Sequence, residues 1–114
     1  MEVKRERRSS ILNSGGLVSS DRNRGEAYLA HVLENLTSVA PGGRNAAVNR
    51  AAWTLGRWVA AGALEQAAVE DGLYEAAERN GLVGDDGQRQ VWATVRSGLS
   101  AGMRQPIDLD EGTR

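Results

Sequence analysis

Between residues 42 and 62 the sequence carries Arg44, Arg50 and Arg57 and no acid, and between 87 and 105 it carries Arg89, Arg96 and Arg104 and no acid. The third helical segment between them, about residues 65–80, is the reverse, with Glu65, Glu70, Asp71, Glu75 and Glu78 against Arg79 alone. Arg50 and Arg57 are seven residues apart, as are Arg89 and Arg96, so on helices each pair shares one face. Two such faces side by side would make a basic surface that neutralises a few phosphates, with salt-sensitive and sequence-independent affinity. The competing reading is structural: the arginines pair with the acidic stretch or simply solvate their faces.

Other residues with chemical potential cluster near these arginines. Pro41-Gly42-Gly43-Arg44-Asn45 places glycines and an arginine before a helix start, where free N–H groups favour anions. It lacks the Lys-Ser/Thr ending of a phosphate-binding loop, and a turn with Asn45 as helix cap explains it without a ligand. Asn49 and Trp53, four apart, can present an amide and a flat ring to a nucleobase. Of the three tryptophans, Trp53 and Trp92 are expected inside, leaving Trp58 as the surface or interface aromatic.

Catalysis finds no support. A serine nucleophile at Ser97 would need a partnered base, and the single histidine, His31, falls on another helix with no evident orienting group. His31 alone cannot hold a metal, and the chain has no cysteine to complete a site. Asp108 and Asp110 resemble a polymerase aspartate pair but fall after Pro106, without the rigid scaffold metal chemistry requires. No catalytic residue, metal or cofactor is therefore expected.

At 114 residues and a net charge of -1 the chain supports one domain and is not a basic nucleic-acid coat protein. Any nucleic-acid contact must be local. No apolar run is long enough to span a membrane and no signal peptide is evident, so a cytoplasmic protein is expected, in keeping with the absence of cysteine.

The elements that must position these residues read as helices throughout. Residues 1–20, charged and then rich in Ser, Gly and Asn, are expected to form a mobile arm. A first helix from Asp21 carries Tyr28, Leu29, Val32, Leu33, Leu36 and Val39 on one stripe and stops at Pro41-Gly42-Gly43. The second buries Val48, Ala51, Ala52, Leu55 and Val59 and ends near Gly62. A third, from about Glu65 to Asn80, buries Val69, Leu73, Ala76 and Ala77, with Asn80-Gly81 as a left-handed end. Asp85-Asp86-Gly87 opens a fourth, burying Val91, Trp92, Val95 and Leu99 before Pro106. The expectation is an all-α bundle of about four helices over residues 21–105, with antiparallel neighbours and an acidic tail at 106–114. Small residues on the inward stripes, Gly98 and Gly102 among them, should let helix axes approach closely.

Two blocks within this pattern resemble a known family. Gly43-Arg44-Asn45, Asn49-Arg50-Ala51-Ala52-Trp53, Leu55-Gly56 and Val59-Ala60-Ala61-Gly62 form the first; Thr94, Arg96-Ser97-Gly98-Leu99, Ala101-Gly102, Arg104 and Pro106 form the second. Together they are similar to the helical region that follows the catalytic core of actinobacterial and phage bifunctional DNA primase-polymerases. The resemblance spans about residues 24–106. It implies a non-catalytic accessory module that helps a polymerase core hold DNA template or initiating nucleotide, with Arg44, Asn45, Asn49, Arg50, Arg57, Arg96 and Arg104 on phosphates and Trp53 or Trp58 stacking. The core's metal-binding acids and mixed sheet have no counterpart here, so the chain is expected to be an excised piece of a longer enzyme, a subunit beside a separate catalytic primase or polymerase chain, or a relic reused in another role. The alternative is a protein-interaction or oligomerisation module in which the acidic third helix or Trp58 docks a catalytic subunit, a phage or host factor, or a second copy.

Overall fold

A computed structural model describes residues 16–109, with side chains from residue 21 onward. The fold is all-α, built from α1 (Gly16–Thr37), α2 (Arg44–Ala60), α3 (Gln66–Arg79), the short α4 (Leu82–Asp86) and α5 (Gln88–Met103). The described part of the chain has no strand, and no helix in it is long and apolar enough to cross a membrane.

The helix ends follow local chemistry. The α1 helix stops at Thr37, whose hydroxyl donates back to the Glu34 carbonyl at 2.7 Å, and Pro41, four residues on, has no N–H with which to continue the helix onto the Thr37 carbonyl. Gly81, at φ +94°, makes the left-handed turn that closes α3, as the Asn80-Gly81 pair predicts. Three differences from the sequence reading stand out. The first helix begins at Gly16, so residues 16–20 are helical rather than part of an arm; residues 1–15 of that expected arm lie outside the described residues. Asp85 and Asp86 end an extra helix, α4, instead of opening the last one, and Gly87 at φ +89° turns the chain into α5. The nominal tail is not loose at its start, since Ile107 and Leu109 pack against the core. Asp110 and the rest of that tail lie outside the described residues.

The core comprises Val48, Ala52 and Leu55 from α2, Val69, Leu73 and Ala77 from α3, and Val91, Val95 and Leu99 from α5, all essentially solvent-free. These are the stripes that three- and four-residue spacing selects. Asn80, only 4% exposed, is the polar exception and is fully used. Its amide donates to the Leu36 carbonyl at 3.0 Å, and its side-chain oxygen accepts from the Leu82 N–H at 2.9 Å. One side chain thus ties the end of α1 to the start of α4, satisfying two groups that helix termini otherwise leave open.

The most extensive helix contact is between α2 and α5, and it is parallel. Thr94 donates to Asn45 Oδ1 at 3.0 Å, Gly98 lies against Asn49, Gly102 against Trp53, and Arg57 reaches Gln105, so both helices advance together. The expectation of antiparallel neighbours holds for α1 and α2, where Tyr28 meets Trp58 and Val39 and Ala47 line one groove. α2 and α5 share no direct connection; α3 supplies the return pass between them, so the two run the same way. Close approach rests on glycine: a Cβ on Gly98 would lie 2.7 Å from the Asn49 carbonyl oxygen, and one on Gly102 would lie 2.7 Å from the Trp53 carbonyl carbon. The small-residue pattern of the sequence is thereby accounted for by packing.

Candidate nucleic-acid interface

Along the α2–α5 seam runs an open groove of about 450 Å³, lined by Asn49, Arg50, Trp53, Thr54, Ser97, Gly98 and Ala101. No acid lines it, and neither helix contains one. Residues 50, 53, 54 and 57 recur at helical spacing on the α2 side, and 97, 101 and 104 do so on the α5 side. Gly98, which brings the two helices together, is itself one of the groove's lining residues.

The three tryptophans sort into different roles. Trp58 is 8% exposed and stacks on Tyr28 with ring centroids 5.2 Å apart, while Arg24 covers it at 5.9 Å. It is a core residue, which corrects the expectation of an exposed Trp58 interface; its position one turn from the end of α2 faces α1 rather than solvent. Trp92 is half-buried and stacks on Tyr74 at 4.7 Å with planes 7° apart, so it closes the α3–α5 flank rather than filling the centre. Trp53 is also half-buried, but it has no aromatic partner among the described residues and borders the groove. Among the described residues its ring pairs with the Arg57 guanidinium, 5.3 Å from the centroid.

The predicted arginines and asparagines divide in the same way. Arg50 is exposed and lines the groove, as does Asn49. Arg57 stands over Trp53 and donates its Nε to the Gln105 carbonyl at 2.7 Å. Arg104 is exposed just after the last turn of α5, at the same end of the seam. None of Arg50, Arg57 and Arg104 forms an ion pair among the described residues, so the acidic α3 does not neutralise them one by one. The ion pair on α3 is internal, Arg79 to Glu75 at 3.5 Å.

Three predicted contacts lie elsewhere. Arg96 sits over Trp92 at 5.3 Å and lines a different hollow with Gln66 and Glu70, on the α3 flank of α5. Arg96 is thus not among the residues that line the groove with Arg50, and Arg89 is exposed near the start of α5. Arg44 is committed to structure, pairing with Asp85 at 3.3 Å and donating to the Val39 carbonyl at 3.4 Å. Asn45 is not a cap: the residue before α2 is Gly43, without a side-chain cap hydrogen bond, and Asn45 instead accepts the Thr94 hydroxyl. The glycine-rich turn at 41–45 thus lacks the free arginine that an anion pocket would use.

His31 is exposed at the edge of α1, in contact with Asn35 at 3.3 Å, and no group of three or more metal-ligating side chains occurs among the described residues. Comparison of the chain with protein-family models, with curated proteins and with solved structures gives no match. What the sequence reading missed was the carbonyl of Gln105 as a partner for Arg57; backbone acceptors leave no trace in residue types.

Proposed function

We propose that this chain is a non-catalytic helical module that holds single-stranded DNA or an initiating nucleotide in the α2–α5 groove, acting beside a primase-polymerase catalytic subunit. The observation that carries the reading is a juxtaposition. Trp53, the one tryptophan without an aromatic partner among the described residues, borders an acid-free groove lined by Arg50, with Arg57 over the Trp53 ring and Arg104 exposed at the end of α5. A base stacking on an aromatic ring contributes about 1–3 kcal/mol, and neighbouring cations track the backbone. Asn49, Thr54 and Ser97 add neutral donors and acceptors along the groove.

The sequence resemblance supports the same reading, since its two blocks, 43–62 and 94–106, are the two walls of this seam. Of the two anchors of the rival protein-docking reading, the acidic third helix and Trp58, Trp58 lies in the core. The test is binding of a fluorescently labelled oligothymidylate at low salt, followed by anisotropy, for the wild-type chain and Trp53→Leu. Measurable binding that falls about tenfold or more in the variant supports the reading. No binding by the wild-type chain at low salt removes it.

A further inference from the structure

The segment that follows α5 closes a small ring of hydrogen bonds with Arg57. The Arg57 side chain donates Nε to the Gln105 carbonyl at 2.7 Å, and two residues on the Ile107 N–H donates to the Arg57 backbone carbonyl at 3.2 Å. Pro106 between them fixes φ and has no N–H of its own to compete. Ile107 and Leu109 anchor the segment by packing on the core. Below the guanidinium lies the Trp53 ring, 5.3 Å from Cζ. Arg57 is therefore held on two sides, by a carbonyl at Nε and by an aromatic face. Neither Nη group has a partner among the described residues.

An arginine of an ordinary solvated face has no such restraints. Placing a long, rotamer-rich side chain in one geometry costs entropy on binding, and a side chain already fixed avoids much of that cost. The planar fork also matches two phosphate oxygens at once, which a lysine ammonium does not. Helix charge alone does not explain the arrangement. Any cation in the last turn of α2 would offset the partial negative charge of its terminal carbonyls without needing the Gln105 acceptor.

We propose that residues 105–109 form a positioning strap that presets the Arg57 guanidinium as a receptor for one phosphate of the strand in the α2–α5 groove. The inference rests on the nucleic-acid reading of that groove and adds to it the ligand group taken by Arg57 and the part of the chain that places it.

The test compares the full-length wild-type chain with Arg57→Lys, Arg57→Ala and Ile107→Pro, using labelled oligothymidylate across a salt series, with thermal melts on the same samples. Arg57→Lys keeps the charge and loses the fork and the Nε bond. The expected result is an affinity about tenfold lower with an unchanged salt slope, because the count of neutralised phosphates is kept. Arg57→Ala is expected to lower affinity and also to reduce the slope by about one phosphate contact. Ile107→Pro removes the strap's N–H donor and should resemble Arg57→Lys while α-helical content stays the same. Arg57→Lys binding as tightly as wild type overturns the strap and leaves the groove reading standing. A wild-type chain that binds no oligonucleotide overturns both.

Discussion

Gly102→Ala is the most exacting perturbation of the seam that builds the groove. A Cβ at this position would sit inside contact with the Trp53 carbonyl oxygen, 2.7 Å from its carbonyl carbon and 3.0 Å from its Cα. All three are backbone atoms, so no rotamer change relieves the clash and α5 must move away from α2. Overpacking of this kind costs up to about 3 kcal/mol, while replacing a helical glycine with alanine returns about 1 kcal/mol of helix propensity. The net expectation is a loss of about 2 kcal/mol, or a Tm lower by roughly 10 °C in a domain of this size. Gly84→Ala is the internal control: it lies in α4 with nothing within 4 Å of the added Cβ, and should be neutral or raise stability by up to about 1 kcal/mol. Thermal and urea denaturation followed by circular dichroism measures both. Equal stability of Gly102→Ala and Gly84→Ala would refute the close parallel packing of α2 and α5.

Three further outcomes follow from particular contacts. Asn80→Ala leaves the buried Leu36 carbonyl and Leu82 N–H without their partner and should cost about 2–3 kcal/mol in urea denaturation; a cost under 0.5 kcal/mol would show those bonds to be replaceable by water. Trp58→Ala removes a core ring stacked on Tyr28 and should cost about 3–5 kcal/mol, whereas a stable variant would return Trp58 to the surface role first expected of it. Arg44→Ala breaks a half-exposed ion pair with Asp85 and should change stability by no more than about 1 kcal/mol, with oligonucleotide affinity unaltered; an affinity loss matching that of Arg57→Ala would move the site toward the 41–45 turn.

The fold class was legible because apolar spacing is a local signal. Val48, Ala52 and Leu55, or Val91, Val95 and Leu99, declare their helix faces without reference to any partner. Helix pairing is a different kind of information. Short connections set the direction of consecutive helices only; that α5 docks along α2 is a tertiary choice, and the clue to it lay in Gly98 and Gly102, four residues apart on one face. The roles of Trp53 and Trp58 were exchanged in the sequence reading because both border the α2 stripe. Which border meets α1 and Tyr28 is settled by the arrangement of three helices, not by α2 alone. The same limit applied to the arginines: spacing does not tell that Arg96 faces the α3 flank of α5 rather than the groove. Asn45 illustrates competition between local and tertiary bonding, where a residue suited to capping instead accepts the Thr94 hydroxyl of a neighbouring helix.

The central claim is that Arg50, Arg57 and Arg104 act together on phosphates along the seam, and the salt dependence of single-strand binding measures it most directly. Three phosphate contacts on a single strand give a slope of log affinity against log salt of about -2, so affinity should fall about twentyfold between 50 and 200 mM salt. The Arg50→Ala/Arg57→Ala double variant should bind more weakly, with a slope near -0.7. A double variant whose affinity and slope both equal those of the wild-type chain would contradict the account.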